Sequence, residues 1–387
     1  TALIQWLAQR IAAGARKDLV TPLVVPLSQY EHGDLLTYAV ARAISKNLPG
    51  IVRAAFEQCL EQASSTVLLL DGVDEIKGSL SRLQGEVARL ARFPIVVTSR
   101  RSGYAAAFPS RPTFEIVDLD DRSAGDLVRN WFRAHPSPGA HDDGVGRVLT
   151  WIRSDPHLEA MARNPCLLSL LCFLCAQRTG GVEVFHRRTD LFRRAEARLI
   201  EDDRQRDRPD AIRLREEMAD FSLSLFEQPD GPRQLFTSDD VTRLAGRQAA
   251  PERWAATKLV SRFDREGTFH FIHLSFQEWM AARALVEVAK TKPARFHDLV
   301  SRNALNPRWS EVWRFFSGLC GDDEENGLGW FRELASSALR CPDVFDHVCF
   351  TVAPWAGEFG DAADAVLAGF RDRLWQTACE ADHEVGW

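Results

Sequence analysis

Val67-Leu68-Leu69-Leu70-Asp71-Gly72-Val73-Asp74-Glu75 is the stretch whose reading decides the fold. Four apolar residues in succession make a short strand buried on both faces, the kind found inside a parallel sheet. The run stops at Asp71, so that carboxylate sits at the strand's carboxyl end, where open α/β sheets carry their sites. Gly72 has no side chain and lets the backbone or a ligand approach closely. Asp74 and Glu75 add two more carboxylates. Taken alone, the stretch fits two readings equally: a buried strand ending in a solvated acidic turn, or the acidic centre of a site.

The flanking segments extend the strand reading. Residues 1–13 have Leu3, Ile4, Leu7 and Ile11 on one helical face, and Gly14 can end the helix. Residues 20–27 read as a strand, with Pro22 and Pro26 pointing to an edge or a bulge. Asp34 caps a helix with Leu35, Leu36, Val40 and Ile44 inward, and Pro49-Gly50 breaks it. A helix over residues 80–91 precedes a third strand at 94–98, and residues 114–119 read as a fourth. Strands alternating with helices predict a parallel sheet in a three-layer α/β fold.

Beyond Asp120 the pattern is helical. Ser123 is the expected cap of a helix carrying Leu127, Val128, Trp131 and Phe132, and further helices centre on Val148, Leu158 and residues 167–175. Residues 187–215 mix Arg with Asp and Glu and read as a solvated helix face. Ser238 is the expected cap of a short helix. Residues 259–263 and 268–273 flank Asp264-Arg265-Glu266-Gly267, a hairpin signal, and Ser275 with Glu278 forms a capping box. Short helices with a hairpin fit a winged-helix module. The remainder is helical and Trp-rich.

With 387 residues there is room for two or three domains, and the 45% apolar and 26% charged shares are those of an ordinary globular chain. A net charge of −6 supplies no basic field for nucleic acid or anionic membrane. The longest apolar run, residues 167–175, is too short to span a bilayer, and no signal peptide opens the sequence. Eight scattered cysteines fit a reducing, cytoplasmic compartment. Cys172 and Cys175 lie on an apolar helical run with no second pair at zinc spacing, which favours buried thiols over a metal site.

Five features bear on chemistry. Phosphoryl transfer on a nucleotide needs a carboxylate to hold magnesium and another to orient water, and Asp71, Asp74 and Glu75 could supply them. Thr1 opens a helix, as the last residue of a phosphate-binding loop does, but so does the first residue of any helix. Because the sequence starts at Thr, the glycine loop and its lysine are expected upstream. Arg100, at the carboxyl end of the third strand, either reaches a γ-phosphate or is a loop arginine beside Arg101. Pro165 suits a first helical turn, and its flat ring can also pack on a base. His273 ends a strand whose alternation puts it on the face of Phe269 and Phe271, with His270 and Ile272 opposite; it is either structural or a phosphate contact pointing out from the hairpin.

Together the stretches VLLLDGVDE (67–75), PIVVTSR (94–100), MARNPCLLSLLC (161–172) and FHFIHLSFQEWMAARAL (269–285) resemble the NACHT family of STAND ATPases, the class of NLR-type immune receptors and their bacterial relatives. They look like its Walker B, its sensor 1, its proline motif and its winged-helix histidine motif; the glycine loop and lysine of Walker A are missing. The resemblance implies a P-loop NTPase sheet followed by helical and winged-helix domains: residues 1–120 as the NACHT domain, 121–205 helical, 206–318 winged helix and 319–387 helical with no assigned role. It implies ATP/ADP and Mg²⁺ as cofactors. Thr1 and Asp71 would hold Mg²⁺, Asp74 and Glu75 the hydrolytic water, Arg100 the γ-phosphate, Pro165 the adenine and His273 the ADP phosphate. It also implies an ATP-hydrolysing signalling switch, ADP-bound and closed, then ATP-bound and oligomeric, with ATPase activity in the full-length protein and an impaired fragment here. The resemblance, with arginine outnumbering lysine, suggests bacterial antiviral defence triggered by a phage or other foreign component.

Two competing classes are a non-catalytic nucleotide-binding scaffold and a winged-helix DNA-binding regulator. The complete acidic set argues against the first. Against the second, the Ser275 helix offers Phe276, Trp279, Met280 and alanines where a recognition helix needs exposed Arg, Lys, Asn or Gln.

Overall fold

The computed structural model describes residues 2–14, 21–27, 30, 33–43, 66–73, 76, 79–99, 108, 111–135, 141–154, 156–176, 187–200, 209–228, 235–246, 249, 251–262, 267–340, 347–360, 363, 366 and 368. The chain divides into two compact units, Thr1–Thr113 with Leu225–Phe236, and Phe114–Ser224 with Thr237–Trp387.

The first unit is a three-layer sandwich. Strand β1 (Thr21–Pro26), β2 (Thr66–Asp71) and β3 (Ile95–Val97) form a parallel sheet in the order β1-β2-β3, so the Asp71 strand is central, as expected. Register pairs Leu68 with Leu23 on one side and Ile95 on the other. Leu68 and Leu70 pack with Leu23, Val25, Leu35, Leu83 and Val87, where α2 (Leu35–Ala43) and α3 (Leu80–Arg89) cover the sheet. Val67 and Leu69 point the other way, to Ile4 and Ile11 of α1 (Ala2–Ala12). A layer on each face explains why β2 shows no polar alternation. Pro22 and Pro26 are tolerated because β1 is the terminal strand of the described sheet.

Glu86 of α3 is a buried carboxylate with partners: it accepts the Leu35 amide at 3.3 Å and pairs with Arg89. It thereby satisfies the first turn of α2 across the layer. Asp34 caps the same helix, accepting the Thr37 amide at 2.7 Å. Ile44, which was expected inward on that helix, lies outside the described residues. On α1, Leu3 is exposed rather than part of the buried face. It lies about 100° round the helix from Ile4, outside the covered stripe.

Residues 114–119 form no strand. Phe114 is 90% exposed, with Ile116 and Val117 also in solvent. Apolar alternation specifies which side chains share a face, but a strand also needs a ladder partner, and none pairs with this segment among the described residues.

The second unit is helical: α4 (Asp121–Ala134), α5 (His141–Ser154), α6 (Pro156–Ala162), α7 (Pro165–Ala176), α8 (Arg188–Ile200) and α9 (Pro209–Phe226), whose last two residues belong to the first unit. After strand β4 (Leu235–Thr237) come α10 (Ser238–Ala245) and α11 (Pro251–Ala255), then the antiparallel hairpin of β5 (Val260–Arg262) and β6 (Thr268–Phe271). Five helices follow: α12 (Leu274–Thr291), α13 (Pro293–Asn303), α14 (Ser310–Cys320), α15 (Gly327–Leu339) and α16 (His347–Phe359). Gly267 enters the hairpin with φ 85°, a left-handed value that favours glycine. Helix α14 packs on both α12 and α16, so the Trp-rich end shares a core with the hairpin helix.

Three caps sit one or more residues ahead of the expected ones. Asp120, not Ser123, caps α4 and accepts the Ser123 amide. Thr237, not Ser238, caps α10 in a capping box with Asp240. His273, not Ser275, caps α12. Several residue types accept at a helix start, and the cap is whichever acceptor the preceding backbone aims at the free amides.

Among the described residues of the mixed-charge segment 187–215, several charges turn inward instead of forming a solvated face. Glu196 is 3% exposed and holds Arg215 at 3.1 Å, Arg283 of α12, and the Trp279 indole N–H at 2.6 Å. Arg187 pairs with Asp190 and Asp322, and the Thr189 amide and hydroxyl donate to Glu358 of α16. Partners far along the chain brought these charges inward, and no local pattern shows them. Cys172 and Cys175 are buried thiols outside any disulfide, and burial pushes the Cys172 thiol up to about 12.

Leu69 is fully buried between the layers. Leu69→Ala should lower stability by about 2–5 kcal/mol, the cost of a core cavity, whereas Phe114→Ser should change it by under about 0.5 kcal/mol. Urea denaturation followed by circular dichroism checks both.

Candidate functional site

Asp71 ends the central strand and is half-buried. The parallel register that pairs Leu70 with Val97 makes Asp71 and Thr98 the next pair out. Their side chains meet there: the Thr98 hydroxyl donates to Asp71 Oδ1 at 2.8 Å. The same hydroxyl oxygen accepts the Gly72 amide at 3.3 Å. Thr98 is also held through its backbone, its N–H on Leu70 O and its carbonyl on the Val73 N–H, both at 2.9 Å. Gly72 turns the chain away from the strand with φ 81°, a left-handed value that a side chain would strain. Asp71 therefore stands on a turn pinned from the neighbouring strand.

Thr98 holds the Asp71 carboxylate, a contact that the sequence motifs do not mark. The available signal was register: a hydroxyl one residue past the third strand falls beside a carboxylate one residue past the second. Thr1, Asp74, Glu75 and Arg100 lie outside the described residues.

Pro165 and His273 both lie in the second unit, each at a helix start. Asn164 caps α7, its Oδ1 accepting the Cys166 and Leu167 amides at 2.9 and 3.2 Å. Pro165 is then the first helical residue, where the missing N–H costs nothing, and its ring is exposed. His273 caps α12, its Nδ1 accepting the Ser275 amide at 3.1 Å. Since Nδ1 is the acceptor, the neutral ring carries its proton on Nε2. The β6 alternation holds for Phe269 and Phe271, which are buried, and stops there; His273 has left the strand and is exposed.

The sequence profile of the NACHT domain matches residues 1–135. No curated protein matches the chain significantly. The match contains α1, the β1-β2-β3 sheet and the pinned Asp71 turn, and marks them as a nucleotide-binding NTPase domain. No helix among the described residues is long and apolar enough to cross a membrane.

His273→Ala should cost about 0.5–2 kcal/mol through loss of the cap, and His273→Ser close to nothing, because a serine hydroxyl accepts the same amide. Chemical denaturation of both variants measures this; equal losses would mean that the imidazole stabilises the fold by something besides capping.

Proposed function

We propose that this chain, whose first 135 residues belong to the NACHT family, is the core of an ATP-hydrolysing signalling switch. The observation that carries the reading is the Asp71 carboxylate at the end of the central parallel strand, oriented by Thr98, inside the matched region. A carboxylate beside a hydroxyl is a hard oxygen donor set. It suits Mg²⁺, which takes one or two carboxylates and leaves its other positions to phosphates and water. Thr1 and Asp71 are the residues assigned to hold it. When bound, the ion neutralises charge on the phosphates during transfer.

The remaining roles follow the motif positions. Asp74 and Glu75 orient and activate the attacking water, and Arg100 faces the γ-phosphate. Pro165 lies on the adenine; its exposed ring at a helix start supports this. His273 donates Nε2–H to the phosphate of ADP; the acceptor role of Nδ1 toward Ser275 supports that proton position. We assign residues 206–318 to a winged-helix domain, supported by the hairpin β5–β6 leading into α12. The closed state holds ADP, and the ATP state is open and oligomeric, with a phage or other foreign component as trigger and the cytoplasm as setting.

The DNA-binding alternative loses support from the burial of α12. Phe276, Gln277, Glu278, Trp279, Met280, Ala281 and Ala282 are all buried, so its first turns present no reading face.

In the full-length protein, Glu75→Gln or Asp74→Asn should slow single-turnover hydrolysis by about 10²- to 10⁴-fold, the usual worth of a positioned acid or base, while sparing ATP binding. Asp71→Ala should weaken Mg·ATP binding itself. Unchanged hydrolysis in all three variants would sink the reading. For the switch, His273→Ser keeps the cap but removes the phosphate donor, and should raise the oligomeric fraction in ADP about tenfold or more, the effect of one charge-assisted hydrogen bond on a two-state equilibrium. Size-exclusion chromatography beside a melting curve reads this, and a monomer in ADP would reject the lock.

A further inference from the structure

Arg188 opens α8 and is 12% exposed. One terminal nitrogen pairs with Glu311 of α14, and the other donates to Ser275 Oγ at 3.3 Å. The guanidinium lies over the Phe192 and Phe315 rings, 5.4 and 4.6 Å from their centroids. Its Nε is buried with no hydrogen-bond partner among the described residues. A charge held among aromatic rings with one donor unsatisfied is an expensive arrangement. What the arrangement secures is the fork: two terminal nitrogens in a fixed plane, one on the carboxylate and one on the hydroxyl.

Ser275 links that fork to the site. Its hydroxyl accepts Arg188 and its backbone N–H donates to His273 Nδ1 at 3.1 Å. Arg188, Ser275 and His273 thus form one chain of contacts ending at the imidazole.

We propose that Arg188 is a positioning residue: through Ser275 it sets the His273 imidazole, so that His273 meets the nucleotide in one fixed orientation. This rests on the nucleotide reading given above. An ordinary stabilising ion pair is the competing role, and it would show in melting temperature without changing how long nucleotide stays bound.

The test is release of a fluorescent ADP analogue from the full-length protein, followed by stopped flow, with melting temperatures taken without nucleotide. Arg188→Lys keeps the charge and loses the fork. Ser275→Ala removes the acceptor and keeps the backbone cap of His273. Each should speed release roughly five- to tenfold, the size of one hydrogen bond, and the double variant should release no faster than Arg188→Lys, because both changes cut one chain. Release at the wild-type rate with a lowered melting temperature overturns the positioning role, and so do effects that multiply. His273→Ser serves as the control. If it speeds release and Arg188→Lys does not, only the role of Arg188 falls. If it leaves release unchanged, or if the wild type fails to bind the analogue, the nucleotide reading falls and this proposal with it.

Discussion

Leu68, Leu69 and Leu70 can leave water only if something covers each face of their strand. The need is met by α1 on one side and by α2 and α3 on the other. Each fully buried leucine contributes about 1.5–3 kcal/mol, so the central strand is held more firmly than any exposed loop could be. The Asp71 carboxylate is fixed by the same packing. Asp71 comes one residue after the last leucine, and its position is inherited from a strand that cannot slip: a shift of one residue would turn every side chain to the opposite layer.

The second unit relies on a different constraint, which is the pairing of charges taken out of water. Glu196 carries two arginines and an indole N–H, Glu358 receives the Thr189 amide and hydroxyl and Arg314, and Arg188 sits among rings with Glu311 and Ser275. Buried pairs of this kind are weak contributors to net stability but costly to break from one side. They therefore define which helices stay together. Arg187, Arg188 and Thr189, three successive residues at the start of α8, each reach a different helix or helix end, so that one turn ties α12, α14 and α16.

Two helix starts in this chain leave a ring exposed beside or at the cap. Asn164 caps α7 and leaves the Pro165 ring in solvent; His273 caps α12 and, by accepting through Nδ1, directs its proton to Nε2. A capping residue is already immobilised by the amide it satisfies. A ligand contact made from such a position loses little further conformational entropy, which favours helix starts as points of recognition.

Much of this was legible in the sequence for reasons that are local. An unbroken apolar run ending in a carboxylate means a two-faced strand, and alternation with helices means that its neighbours run parallel to it. Proline inside a strand points to an edge or a bulge, and β1 is the terminal strand of the described sheet; Asn164-Pro165 marks a helix start without any tertiary knowledge. Other features depended on partners distant in the chain. The Thr98 contact with Asp71 exists only once the parallel register is set. The apolar pattern of residues 114–119 implied a strand, but pairing needs a neighbour, and the structure leaves Phe114 in water. Arg187, Arg188 and Glu196 read as part of a solvated face because their partners Asp322, Glu311 and Arg283 lie some 87 to 135 residues away. Periodicity and propensity act over a few residues and are written in the sequence, whereas pairing of charges and strands is decided by which segments the fold brings together.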